Sequence, residues 1–210
     1  MNLPEIQRIA REQFADRASH PWKERGNKYD HGLRTAKLTL TLRRALFPDD
    51  ASHDGALTVA AWFHDVCNRA GAEKEHGREG AALTRRLLEG LADEETLREI
   101  CELVLLHDDR YEKAAGLSDW VKILQDADYL DHFGSYDVWM YILAARAMNE
   151  TASGALRMMR EERSAGREAL RAGLNFELSR RLYDEKMDYF FSFCDRFEAE
   201  LDGRFPGFTA

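Results

Sequence analysis

Trp62-Phe63-His64-Asp65-Val66-Cys67 ends an apolar run, Ala56-Leu57-Thr58-Val59-Ala60-Ala61-Trp62-Phe63, with two adjacent residues of metal-ligating type. At helical spacing Leu57, Ala60, Ala61 and His64 share one stripe, so the imidazole of His64 points inward and a carboxylate follows it directly. Burying either group unpaired is expensive. A cation would satisfy both, whereas His64 taken alone reads more readily as a hydrogen-bonded core histidine.

The 3.6-residue period recurs on both sides of this run. Pro and Gly punctuate rarely, and β-branched alternation is nearly absent, so the chain reads as all-α. A first helix is expected from about Pro4 to Arg17, with Ile6, Ile9, Ala10 and Phe14 inward. A second carries Asp30-His31-Gly32-Leu33-Arg34 on to Phe47, where Pro48 ends it. After a loop over 70–75, His76, Gly80, Leu83 and Leu87 define a fourth helix. A fifth, opening at Asp93 and Glu94, aligns Ile100, Leu103, Val104 and His107. Ser118 is a fitting N-cap for a sixth, which runs through Gln125-Asp126-Ala127-Asp128-Tyr129-Leu130-Asp131. Ser135 to Asn149 makes a seventh. Thr151 to Gly173 reads as a shorter helix interrupted near Gly166. A last long helix from Leu174 to about Gly203 turns Leu178, Leu182, Tyr189, Phe190, Phe193 and Phe197 inward. No internal repeat or linker divides the 210 residues, which fit one helical domain.

With 44% hydrophobic and 32% charged residues the composition is that of a soluble globular protein, and no apolar run approaches the roughly 20 residues that span a bilayer. The start, Met1-Asn2-Leu3-Pro4-Glu5, lacks the features of a signal peptide, so a cytoplasmic protein is expected. Cys67, Cys101 and Cys194 are odd in number and widely separated, which suits free thiols. A net charge of -8 without a basic block excludes an extended nucleic-acid footprint but leaves small phosphorylated substrates open. An apolar helix face reads alike in a core and in a dimer interface, so a homodimer stays open.

His31, His64, His76, His107 and Asp128 each fall on the apolar stripe of their own expected helix, with Leu38 and Leu42 beside His31 and Val121 and Leu124 beside Asp128. Five polar groups facing one core need a common partner, and helix bundles build metal sites in this way. His31 with Arg34 one turn on, the helix ending in His64-Asp65, and the Ala127-Asp128-Tyr129-Leu130-Asp131 helix together resemble the HD-domain superfamily of metal-dependent phosphohydrolases, over about residues 29–133. His76 with Gly80 and Ala81, His107 at a helix end, and the aromatic, acidic C-terminal helix are similar to small bacterial HD proteins, some of which cleave pyrophosphate from nucleoside triphosphates.

The resemblance implies a helical HD-type bundle, with helices over 135–203 packed on the motif region. It implies a divalent metal held by His31, His64, Asp65 and Asp128, and hydrolysis of a phosphate ester or anhydride. Asp128 is the expected fourth ligand; Asp126 and Asp131 are expected behind the ligands or in solvent. Imidazole with carboxylate suits Mn, Fe, Co, Ni or Zn. Asp65 would orient the attacking water, Arg34 would hold a phosphate, and His76 would protonate a leaving oxygen. Arg69, Lys74 and Arg110, in loops after ligand-bearing helices, and Tyr129 and His132, beside the Asp ligand, are candidate substrate contacts. His20 and His53 read as surface residues.

Two other readings stay open. His76 and His107 could complete a two-metal site, as in HD proteins that are diiron oxygenases or phosphodiesterases. The fold could also serve as a non-catalytic nucleotide-binding module. No residue in the sequence reads a base, a sugar or a chain length.

Overall fold

The computed structural model describes residues 1–18, 22–68 and 76–205. Among them run the helices α1 (Leu3–Phe14), α2 (Asn27–Leu46), α3 (Asp54–Phe63), α4 (His76–Leu88), α5 (Glu94–Leu106), α6 (Asp119–Asp131), α7 (Ser135–Ala147), α8 (Ala152–Ala172) and α9 (Glu177–Leu201). A 3-10 turn over Tyr111–Gly116 links α5 to α6, and no strand occurs among the described residues. The all-α expectation holds.

α3 is central because nearly every side chain on it is apolar. Leu57, Val59, Ala60, Ala61 and Phe63 are fully buried, and burial of each large side chain contributes about 1.5–3 kcal/mol. α2 packs most extensively against α3 and α6. The α2–α3 approach depends on Gly32, where a Cβ would lie 3.2 Å from the Ala61 carbonyl oxygen and 3.3 Å from that of Trp62. His31, the residue before it, is thereby brought against the end of α3. The same device recurs at Gly77, where a Cβ would lie 2.7 Å from the Leu105 carbonyl oxygen. That contact sets His76 against the end of α5.

Two apolar clusters flank this centre. One joins α1, α3, α4 and α5 with Val121 and Leu124 of α6. The other joins Ile123, Ala127 and Leu130 of α6 with α7, α8, α9 and Leu42 of α2. α6 thus faces both ways, and its polar residues emerge at the seam. Ser118 and Asp93 cap α6 and α5 by accepting from Val121 N and Thr96 N, respectively.

Several boundaries differ from the sequence reading. α2 starts at Asn27 rather than Asp30, which adds Lys28 to its buried face. α8 continues unbroken through Gly166, where Leu170 packs beside the missing Cβ. On α9 the buried stripe is Tyr183, Met187, Phe190 and Cys194. Tyr189, expected inside, is 53% exposed because it lies one residue off that stripe. His53, expected on the surface, is half-buried, stacked on Trp120 at 4.2 Å and bonded to Glu99. All three cysteines are free, and no described helix is long and apolar enough to cross a membrane.

Candidate metal centre

The centre lies where α2, the end of α3 and α6 meet. His31 donates from Nδ1 to Asp131 Oδ2 at 2.8 Å, because the ionised carboxylate there can only accept, with Thr35 Oγ1 further off at 3.5 Å. His64, one residue past α3, donates from Nδ1 to the Ala61 carbonyl at 2.8 Å. With both Nδ1 protons so engaged, the Nε2 atoms of the neutral rings carry lone pairs. Those Nε2 atoms face each other at 3.2 Å. Asp128 Oδ1 lies 3.1 Å from His31 Nε2 and 3.5 Å from His64 Nε2. Three electron-rich atoms therefore converge on one point, an arrangement that repels unless something positive sits between them.

Asp65 completes this group. Its Oδ2 is 4.0 Å from His64 Nε2, and the ligand atoms of His31, His64 and Asp65 all lie within 4.8 Å of one another. Spacings of this size suit donors sharing an ion at about 2.0–2.2 Å each. All four residues are supported from behind. Lys28 Nζ donates to Asp65 Oδ2 at 2.6 Å and Asn68 Nδ2 to Asp65 Oδ1 at 2.7 Å. Arg110 Nη2 holds Asp128 Oδ2 at 2.6 Å, which leaves Oδ1 turned toward the imidazoles. Arg34 forks onto Asp131 from Nε and Nη2, at 2.9 and 2.8 Å. Partners of this kind orient ligands and fix their tautomers.

The electrostatics agree. Burial opposes charge on His31, but Asp128 and Asp131 outweigh it and push its pKa up to about 9. A proton on His31 can thus take the place that a bound cation would hold. Burial pulls the other way on Asp65, yet His64, Lys28 and His31 hold its carboxyl well below the usual range. Asp128 is likewise held well down: burial raises it, while His64, His132 and His31 lower it further.

A second group stands behind Asp65. His107 donates from Nδ1 to the Val104 carbonyl at 2.7 Å, so its Nε2 also carries a lone pair. That nitrogen faces His76 Nε2 at 3.0 Å, and His76 Nε2 is 3.9 Å from Asp65 Oδ1. Burial, then the charge of His64, lowers the His107 pKa to about 4. Asp65, His76 and His107 form a further set of ligand atoms within 4.8 Å of one another.

The structure thus brings His31, His64, Asp65 and Asp128 together, with His76 and His107 beside them. Arg34 is committed to Asp131 along one edge and lies over the Tyr136 ring at 3.9 Å, with a third of its side chain exposed. Arg110 is buried, with its guanidinium on Asp128, on the Gln125 carbonyl and over the Tyr129 ring at 4.7 Å. His132 is half-exposed and 3.7 Å from Asp128 Oδ1, with its ring 5.0 Å from that of His31. Asp131 sits behind His31, as expected. Asp126 does not: it is fully buried on the opposite side of α6, accepting from the backbone N of Asn175 and Phe176 at 2.8 and 3.0 Å. Its position two residues before Asp128 turns it to the other face of the helix. Arg69, Lys74 and His20 lie outside the described residues.

Lys28, Asn68 and Gln125 were not singled out in the sequence. For Lys28 a signal exists, since Lys28, His31 and Thr35 follow one another at helical spacing and all three are buried. Gln125 Nε2 ties the carbonyls of Leu106 and Asp109, at 2.9 Å each, and so joins the end of α5 to α6.

Comparison with known proteins agrees with the fold. The chain shares its fold with an HD-superfamily hydrolase from Bacillus thuringiensis, at TM-score 0.67 and 16% identity, over 96% of this chain and 97% of that one. It also shares it with a Listeria innocua protein, at TM-score 0.61 and 19% identity, over 96% and 98%. Bacillus subtilis YpgQ in complex with ADP matches at TM-score 0.59 and 16% identity, over 94% and 98%. A search of curated proteins gave no match. Residues 29–132 match the family model of the HD domain, the span that carries His31, His64-Asp65 and Asp128, and the chain belongs to the HD-domain superfamily.

Proposed function

We propose that this protein is a metal-dependent phosphohydrolase acting on a small phosphorylated metabolite, a nucleotide above all. The observation that carries this reading is the convergence of His31 Nε2, His64 Nε2 and Asp128 Oδ1 with both Nδ1 protons engaged elsewhere. His31, His64, Asp65 and Asp128 would hold the ion. When bound, a divalent cation such as Mn, Fe, Co, Ni or Zn polarises a phosphoryl oxygen and makes its water acidic enough to attack.

The residues of the chain supply the rest. Asp65, Asp131 and Asp128 are each matched by a cation, namely Lys28, Arg34 and Arg110. The charge of an added ion is therefore not cancelled by the protein, and an anionic substrate suits the site. Asp65, pinned by Lys28 and Asn68, is a fixed acceptor that orients a nucleophilic water. Arg34 retains open surface toward a phosphate. His76 is 6% exposed and lies behind Asp65, so His132, at the open side, is better disposed to hand a proton to a leaving oxygen. The ADP bound to YpgQ supports a nucleotide as ligand of this fold.

A release assay over nucleoside mono- and triphosphates with each of the five metals tests the reading. Hydrolysis abolished by Asp65→Ala supports it, and retained activity in that variant defeats it; product analysis separates phosphate from pyrophosphate release. A second reading rests on Asp65, His76 and His107, which could hold a second ion. Two metals per chain, reduced to one by His107→Ala, would favour it.

A further inference from the structure

Gln125 is fully buried on α6, and both polar atoms of its side chain are engaged. Nε2 donates to the carbonyls of Leu106 and Asp109 at 2.9 Å each, and Oε1 accepts from Asn175 Nδ2 at 3.1 Å. Asn175 thereby fixes which way the carboxamide faces, since its own Nδ2 can only donate. The two carbonyls that Gln125 takes bracket the turn at the end of α5, where helix carbonyls lack intrahelical partners. Arg110 follows that turn directly. Its guanidinium donates from Nη1 to the backbone carbonyl of Gln125 and from Nη2 to Asp128 Oδ2, at 2.6 Å each. The next residue, Tyr111, has a φ of 60°, a conformation that a bulky side chain keeps only where its surroundings over-determine it. Its ring lies against Gly173, where a Cβ would come within 3.0 Å of the Tyr111 hydroxyl oxygen. Arg110 is thus fixed between two anchored neighbours, Asp109, whose carbonyl Gln125 grips, and Tyr111.

This matters at the metal centre because Asp128 has two oxygens, and one must be left for the ion. With Arg110 on Oδ2, Oδ1 faces the Nε2 atoms of His31 and His64 at 3.1 and 3.5 Å. An arginine free to swing would hold either oxygen, and the carboxylate would lose its fixed orientation. We propose that Gln125 is a positioning residue of the metal centre: by gripping the turn over 106–109 it seats Arg110 on Asp128 Oδ2, and so keeps Asp128 Oδ1 aimed at the ion. The inference rests on the metal centre of the proposed function. It goes beyond that reading in assigning a residue that acts on a ligand through another.

The test is calorimetric titration of Mn or Zn ions alone into the full chain, so that the readout is independent of turnover. The proteins compared are wild type, Gln125→Met, Gln125→Glu, Asp126→Asn, Arg110→Met, and Gln125→Met combined with Arg110→Met. Gln125→Met fills a similar space but donates nothing, and should weaken metal binding about tenfold, the lower end of what partners behind a ligand give. Gln125→Glu, whose carboxyl burial keeps protonated, retains one donor and should lose only about threefold. Asp126→Asn melts lower than wild type, as Gln125→Met does, yet should bind metal like wild type, which separates positioning from loss of stability. On the Arg110→Met background Gln125→Met should change metal affinity by less than about twofold, because the first residue acts through the second. Unchanged metal binding in both Gln125 variants, or a loss as large without Arg110 as with it, overturns the proposal. The expected pattern in a protein that hydrolyses nothing leaves the positioning role standing and sinks the hydrolase reading. Hydrolysis that depends on Asp65, with full metal affinity in Gln125→Met, does the opposite. Wild type that takes up no ion overturns both.

Discussion

His31 Nε2 stands 3.2 Å from His64 Nε2, and in each ring the other nitrogen already donates, one to Asp131 and one to Ala61. Were both rings neutral their facing lone pairs would repel, with Asp128 Oδ1 at 3.1 Å as a third electron-rich atom, and a proton on His31 or a bound cation relieves this. The apo protein should therefore be stabilised by a divalent metal. At a concentration one hundred times Kd the gain is about 2.7 kcal/mol, or about 5–10 °C in Tm for a chain of this size. Melts with EDTA and with Mn or Zn check this, and His64→Ala should lose the shift.

The same geometry gives a pH dependence whose sign follows from His31. Its pKa in the folded apo protein is raised from 6.5 to about 9. The stability it contributes is fully present below about 6.5 and is lost as pH rises through about 9. Apo protein should thus become less stable across that window, while metal affinity rises over it because the ion displaces the His31 proton. His107, lowered to about 4 from 6.5, acts oppositely: its contribution is present above 6.5 and fades as pH falls toward 4. Denaturation midpoints from pH 4 to 9.5, with and without metal, read both slopes. A flat apo profile above pH 6.5 would contradict the His31 assignment.

Gly32 and Gly77 separate two costs of bringing histidine pairs together. A Cβ at Gly77 meets the Leu105 carbonyl oxygen at 2.7 Å, and backbone cannot swing aside. Gly77→Ala should destabilise by about 1–3 kcal/mol, the usual penalty for overpacking. At Gly32 the approaches of 3.2 and 3.3 Å are milder, and alanine gains about 1 kcal/mol in helix propensity. Gly32→Ala should be within about 1 kcal/mol of wild type in stability yet bind metal about tenfold more weakly, because α2 shifts against the end of α3. Urea denaturation and metal titration distinguish the two variants.

The helices and the inward histidines are legible in the sequence because each sits on a stripe of period 3.6, and His64-Asp65 ends the most apolar of them. What escaped was pairing. Nothing local says that Arg34 turns to Asp131, 97 positions away, or that Arg110 reaches back to Asp128. The period marks an inward face but not which of two cores it enters, so Asp126, expected behind the ligands or in solvent, is instead buried on the face of α6 opposite Asp128. Lys28 was missed because a lysine on an apolar stripe usually extends to solvent. Gly166 was taken as a break although a glycine within a long amphipathic helix costs only about 1 kcal/mol.

Asp126 gives a control for Asp128. It accepts from Asn175 N, Asn175 Nδ2 and Phe176 N, and so fixes the start of α9. Asp126→Ala strands the half-buried backbone donors of Asn175 and Phe176, while Asn175 Nδ2 keeps Gln125 Oε1, and should cost about 2–4 kcal/mol, whereas Asp126→Asn keeps one acceptor oxygen and should cost about half that. Both should bind metal like wild type once folded. Asp128→Ala should instead abolish metal binding, as read by metal content after dialysis.

Lys28 offers the last test, because its worth should depend on metal. Lys28 is 7% exposed, and its ammonium lies 2.6 Å from Asp65 Oδ2 as a near countercharge to a buried carboxylate. In the apo protein Lys28→Met leaves Asp65 to the Asn68 amide and the His31 and His64 rings, and breaking a buried pair from one side costs about 3–5 kcal/mol. With a divalent ion bound, Asp65 has a second positive partner, so the same substitution should cost distinctly less. The difference between the two costs equals, by linkage, a tightening of metal affinity in the variant relative to wild type after correction for its lower stability. Measuring unfolding of both proteins with and without metal closes that cycle, and equal costs in the two states would show that Asp65 does not meet the ion.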